Sequence, residues 1–243
     1  MKRLFKALSR KDRHAQAALL AEWEDNDPPR ALLEYAALGN VKKLDDLLAK
    51  GIDPNAEVMV DVTVDTVMET PLCAAASAGK LESVKRLLAA GAQVDKPAED
   101  NYTPLMCAAV EGRAAVAEYL IAQGADIHVR ENIFGHTPLH KAARLGRPVT
   151  VERLLAAGAS REQGDFLGHI AENTICQQCG GNEEKKEELR RAIQAAFDAD
   201  THARDRVAAD AARHAQDMAR AAELQRDMPL PPAPVFRKRG PQP

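Results

Sequence analysis

The sequence predicts an all-α fold, a solenoid of stacked helix–turn–helix units, and two observations carry that prediction. A block of the form Thr-Pro-Leu-X-X-Ala-Ala occurs at Thr70, Thr103 and Thr137, at steps of 33 and 34 residues. A fixed period of that size marks a repeat architecture. The composition agrees, because 45% of the 243 residues are hydrophobic but only 4% are aromatic. Such a chain is rich in helix formers and poor in the bulky residues that favour sheets.

Each recurring position has a local reason. Thr before Pro is an N-cap followed by a first-turn proline: the hydroxyl accepts from an orphan amide, and the missing N–H costs nothing there. A Gly stands three residues after each block, at Gly79, Gly112 and Gly146, and supplies the left-handed residue that ends a two-turn helix. A second helix follows, with apolar residues at i, i+3 and i+4 in Val84-Leu87-Leu88, Val116-Tyr119-Leu120 and Val151-Leu154-Leu155, forming one stripe. It stops at Gly91, Gly124 and Gly158. An earlier unit runs from Leu32 to Gly39 and on through Leu47-Leu48 to Gly51-Ile52. No single unit has enough apolar surface to fold alone, so the units must stack.

Period, Thr-Pro-Leu-His-type block, Ala-Ala pairs and the Gly124-Ala125-Asp126 ending together resemble the ankyrin repeat, over about residues 30–160. The resemblance implies helix–turn–helix units joined by β-hairpin fingers, about five in number, in a curved stack. Only His140 keeps the motif histidine, and the resemblance implies that it hydrogen-bonds within and between repeats. Arg30-Ala31 in place of Thr-Pro marks the first unit as a cap. The resemblance also puts partner contacts on the finger tips and on the two residues before each short-helix Gly. Here those pairs are Ala37-Leu38, Ser77-Ala78, Val110-Glu111 and Arg144-Leu145.

Four segments follow. Residues 1–29 form a basic N-terminal helix or linker, with Trp23 anchoring a helix over the first unit. Residues 30–199 form the repeat domain with degenerate caps. Between Gly51 and Gly91 about seven extra residues extend a finger, where Val58, Val60, Val62 and Val64 alternate with polar or other residues in strand period. A fifth unit keeps phase through Gly180, although Ala171-Glu172-Asn173-Thr174 replaces its block. A helix with Leu189, Ile193 and Phe197 on one side closes the domain. Residues 200–228 form an exposed Ala- and Arg-rich helix, and residues 229–243 a disordered, proline-rich tail.

Residues 31–160 carry 13 basic against 17 acidic residues, an excess that disfavours nucleic acid, whose affinity comes from Lys and Arg. No apolar run approaches the length of a membrane span, and the first residues lack the apolar core of a secretory signal. Cytoplasmic residence is expected, with four cysteines too few for a disulfide framework. Cys176-Gln177-Gln178-Cys179 has metal-pair spacing but supplies two of the four ligands zinc needs, with His169 the nearest third, so no metal or other cofactor is expected. Cys73 and Cys107 read as small hydrophobes of the stack. No nucleophile motif or phosphate loop occurs, and the chain is not expected to be an enzyme.

The expected function is therefore a protein-binding module that engages a partner through its concave face and fingers. An inhibitor or immunity-type protein that neutralises one enzyme or toxin is the alternative. The expected hot spot is Ile133-Phe134, an apolar pair at a finger tip with no helix stripe to join. Tyr102, His136, Arg144 and Leu145 complete the patch, Val110 lies beside it, and Glu99, Asp100, Glu111 and Glu131 rim it with acid suited to a basic partner. The competing structural role is that Phe134 folds onto Tyr102 and stiffens the fingers.

Overall fold

The computed structural model describes residues 13–62 and 65–226. The basic start before residue 13 and the proline-rich tail lie outside the described residues. Helix α1 (Arg13–Asn26) precedes four helix pairs: α2 and α3 (Pro28–Leu38, Val41–Ala49), α4 and α5 (Pro71–Ala78, Leu81–Ala89), α6 and α7 (Pro104–Glu111, Ala114–Ala122), α8 and α9 (Pro138–Arg144, Pro148–Ala156). Strands β1 (Val58–Val62) and β2 (Asp65–Glu69) pair antiparallel between the first and second units, Val58 opposite Glu69 and Val62 opposite Asp65.

The repeated blocks do what their chemistry dictates. The Thr70, Thr103 and Thr137 hydroxyls accept from the amides of Cys73, Met106 and His140 at 3.3 to 3.4 Å, starting α4, α6 and α8. Gly79 and Gly112 end α4 and α6 at φ 75° and 67°, where a side chain would be strained. A Cβ at either position would also meet the next unit's arginine at 2.7 Å, Arg113 over Gly79 and Arg147 over Gly112. Those arginines donate Nε–H bonds to the Ser77 and Val110 carbonyls of the preceding unit, at 3.1 and 2.9 Å. Lys80 lies over Gly39 in the same way.

The inner helices α2, α4, α6 and α8 pack in succession, and each also packs on its own outer helix. Alanines with no exposed surface (Ala36, Ala75, Ala76, Ala108, Ala109, Ala142, Ala143) let the inner helices approach, while Leu44, Leu72, Leu87, Leu105, Leu120, Leu139 and Leu154 fill the layer between the rows. Burying one such side chain contributes about 1.5–3 kcal/mol. The long hairpin has a small core of its own, in which Val58 packs with Leu33 and Ala74 and is backed by Val60 and Ala37.

The two ends of the stack close differently. At the N-terminal end α1 lies on α2, burying Leu20, with the Arg30 guanidinium 4.6 Å from the Trp23 ring centroid. At the other end the fifth unit departs from the expected pair. Ala171–Thr174 forms only a 3-10 turn, and Cys176 and Cys179 are joined by a disulfide. Two backbone bonds pin this turn to α8, Cys176 N–H to Ala143 and Gln178 N–H to Arg144, each 2.9 Å. Helix α10 (Glu183–Arg226) then supplies the outer cover, with Ile193 and Phe197 fully buried. Contacts divide the chain into residues 1–200, which contain the stack, and residues 201–243, whose described side chains are almost all exposed.

Candidate functional site

The finger before α8 is built around a buried glutamate. Glu131, with no exposed surface, accepts from the amides of Ile133 (2.7 Å), Phe134 (3.0 Å) and His136 (3.2 Å). The Lys141 ammonium lies 3.5 Å from the same carboxylate and 4.6 Å from the Tyr102 ring centroid. Burial pushes the Glu131 pKa up, but the amides and Lys141 outweigh it and hold the group below the usual carboxylate range. Burial pushes Lys141 down against the pull of Glu131. Burial likewise holds His136 down to about 4, helped by the nearby charges of Lys141 and Arg144, so its ring is neutral at physiological pH. Glu131 is therefore the ionised anchor of the finger, not part of an exposed acidic rim. His136, also expected in the patch, is likewise buried, at 4% exposure.

His140 makes both bonds expected of it. Its Nδ1 lies 2.8 Å from the Thr137 hydroxyl and 3.3 Å from the Thr137 amide, completing a capping box, and its Nε2 lies 2.9 Å from the His169 carbonyl of the next finger. Asp165 there repeats the role of Glu131, accepting from the Leu167 and His169 amides at 2.8 and 2.9 Å.

Wrapping the finger backbone around a carboxylate turns its tip outward. Ile133 and Phe134 are 55% and 48% exposed. Phe134 does not fold onto Tyr102; its ring lies 5.4 Å from that of His136 and 5.7 Å from the Arg144 guanidinium. Phe166 and Leu167, at the next tip, are 58% and 77% exposed. The Phe166 amide donates to the Phe134 carbonyl at 2.9 Å, and the Phe166 ring lies over Gly135, where a Cβ would come within 2.5 Å of it. The two tips thus form one apolar patch, of which sequence reasoning found only the first half. The second half was visible as another apolar pair 33 residues after the first.

The remaining candidates divide by exposure. Glu99 and Asp100 are exposed, and the Asp100 carbonyl accepts from the Asn132 amide at 2.9 Å, tying one tip to the next. Tyr102 is half-buried, its phenol pushed up to about 12 by burial and by Glu131. Val110, Glu111, Arg144 and Leu145 are half-buried at the ends of α6 and α8.

Cys176 and Cys179 are joined in a disulfide, and in that state their sulfurs offer no thiolate to a metal. The ligand-type cluster among the described residues lies elsewhere: Glu69, Cys73 and Cys107 place one donor atom each within 4.8 Å of one another. Cys73 donates to the Lys96 and Tyr102 carbonyls at 3.7 and 3.6 Å. These cysteines are free thiols facing each other across two repeats, not merely small packing residues.

Stacked helix pairs with inner-helix Thr-Pro caps and outward finger tips define a helical-repeat solenoid. Family models for ankyrin repeats match residues 33–131, in three copies, and residues 134–165. The chain belongs to the ankyrin repeat family. It is 34% identical over 117 residues to a transient receptor potential cation channel subfamily A member 1 homolog of Caenorhabditis elegans, covering 46% of this chain and 9% of that protein. It is 47% identical over 55 residues to human ankyrin repeat domain-containing protein 49, covering 22% and 23%. A match at 40% identity over 68 residues to mouse protein phosphatase 1 regulatory subunit 27 covers 27% and 44%. The matched part spans less than half of each of these relatives. Ankyrin repeats are generally protein-interaction modules without catalysis, and no helix among the described residues is long and apolar enough to cross a membrane.

Proposed function

We propose that this chain is a non-catalytic recognition module that binds a protein with a basic surface through the tips of its last two fingers. The observation that carries the reading is the joined patch of Ile133, Phe134, Phe166 and Leu167, exposed on a backbone made rigid by Glu131 and Asp165. Aromatic anchors on a preorganised support, rimmed by polar groups, are the usual composition of binding hot spots. Glu99 and Asp100 supply an exposed acidic edge one finger earlier, and Val110, Glu111, Tyr102, Arg144 and Leu145 form the half-buried floor. That acidic edge favours a basic protein over nucleic acid.

Cytoplasmic residence belongs to the same proposal and rests on the free thiols Cys73 and Cys107. The Cys176–Cys179 bond is then one that a reducing compartment holds only transiently. A regulatory-subunit relative makes binding to an enzyme a natural form of this activity.

The test is quantitative capture by the full chain against a Phe134→Ser/Leu167→Ser variant, with thermal melting of both. Selective partners that bind the parent and lose at least ~2 kcal/mol of affinity with the variant, at unchanged Tm, support the patch. Unchanged binding, or loss that tracks a lower Tm, refutes it.

A further inference from the structure

The base of the long hairpin brings together three groups that the recognition surface does not use. Glu69 ends β2, Cys73 lies in the first turn of α4 and Cys107 in the first turn of α6. One donor atom from each falls within 4.8 Å of the other two, so the cluster spans the hairpin, the second unit and the third. Glu69 is 4% exposed and its Oε1 has no hydrogen-bond partner. Among the described residues no cation pairs with it, and Glu34, another buried carboxyl with an unpartnered oxygen, adds to the local negative charge. A carboxyl oxygen left without a partner in the interior is a position that a positive ligand would satisfy.

An opening lies beside one member of the cluster. A cavity of about 230 Å³ opens beside Glu69, with Glu57, Glu99 and Thr70 in its wall. Lys96 pairs with Glu57 in that wall. Walls that carry several carboxylates concentrate cations.

We propose that Glu69, Cys73 and Cys107 bind a single zinc ion. Donor chemistry selects the metal. Two thiolates with one carboxylate suit zinc, whereas calcium and magnesium take oxygen ligands throughout. Zinc–sulfur bonds of about 2.3 Å in tetrahedral geometry set donors roughly 3.5–3.8 Å apart. The observed spread therefore closes by about 1 Å, within reach of side-chain rotation at Glu69. On binding, each thiol, and the Glu69 carboxyl where it is protonated, releases its proton to solvent, and each sulfur and the carboxylate oxygen donate a lone pair to the metal. Three protein ligands leave the fourth position to water. The bound ion clips the hairpin base to two successive inner helices.

The experiment uses the full chain with its Cys176–Cys179 disulfide intact and cobalt(II) as a spectroscopic stand-in for zinc. One equivalent of cobalt is expected to give a thiolate-to-cobalt charge-transfer band with the intense visible bands of a tetrahedral site, bleached by one equivalent of zinc. Cys107→Ser, a near-isosteric change, should abolish the charge-transfer band or lower cobalt affinity at least 100-fold while the protein still melts cooperatively. Glu69→Gln should weaken affinity at least tenfold with both thiols still titratable. The Cys176→Ser/Cys179→Ser variant should bind as the parent does. The proposal is overturned if excess cobalt gives no charge-transfer band while two thiols remain titratable. A band unchanged in Cys107→Ser, or lost only in Cys176→Ser/Cys179→Ser, overturns it equally.

Discussion

Glu69 and Glu131 both sit beneath a finger, both nearly free of solvent, at 4% and 0% exposure, yet their surroundings treat them oppositely. Glu131 receives three backbone amides and a lysine, and its carboxyl is held below the ordinary range. Glu69 has an oxygen with no partner, and burial together with Glu34 pushes it up to about 7. Depth alone does not decide the charge of a buried carboxyl; the donors that reach it do. One finger is therefore locked by an ion, while the base of another keeps a group that is half protonated near neutrality.

The largest effect should come from removing the lock. Glu131→Gln leaves Lys141 buried without its counter-ion and weakens three amide bonds, so urea unfolding should show a loss of about 3–5 kcal/mol. Adding Lys141→Met should restore part of that loss. A double variant as unstable as the sum of the two singles would break the ion-pair account.

Glu69→Gln should behave in the reverse sense. The folded Glu69 keeps its proton from its ordinary pKa of 4.5 up to about 7, where the unfolded chain has lost it. Its favourable contribution is therefore full below about pH 4.5 and is lost as pH rises through 7. Between about pH 5 and 8 the Gln variant should gain roughly 1–3 kcal/mol relative to the parent in metal-free buffer. For Glu131 the sign is opposite: a depressed pKa stabilises above the ordinary carboxylate range, and that contribution fades as pH falls below it. Parallel pH profiles for the two variants would refute the contrast. The smallest effect belongs to Glu99→Gln/Asp100→Asn, whose side chains are exposed, and it should stay within about 0.5 kcal/mol in the same unfolding series.

The stack was legible in the sequence because its signals are short-range and repeated: Thr-Pro caps, left-handed glycines and apolar stripes each act within about eight residues. The buried chemistry was not: Cys107 lies 34 residues beyond Cys73, and Glu131 is satisfied by backbone amides of its own loop, which no pattern of side chains marks. Glu131 read as an exposed acid until its amide donors were seen. One sign was available in Lys141, a cation where the other units carry Ala74 and Cys107, which requires a counter-ion inside. Cys73 and Cys107 occupy adjacent columns of the repeat, so nothing in the alignment of units shows them meeting. Spacing could show the Cys176/Cys179 pair but not its oxidised state.

The basic residue laid over the preceding glycine gives the stack a direction. Lys80, Arg113 and Arg147 each reach backward, never forward, and two of them grip a carbonyl of the unit behind. In the last unit the place over Gly146 is taken by the Cys179 sulfur, held by a covalent bond within its own turn. Each unit thus carries the address of its predecessor, and the final one carries a seal in place of an address. Units of this chain should be exchangeable only with their grammar intact: a unit moved inward needs an arginine after its glycine, and one moved to the end needs a plug of its own.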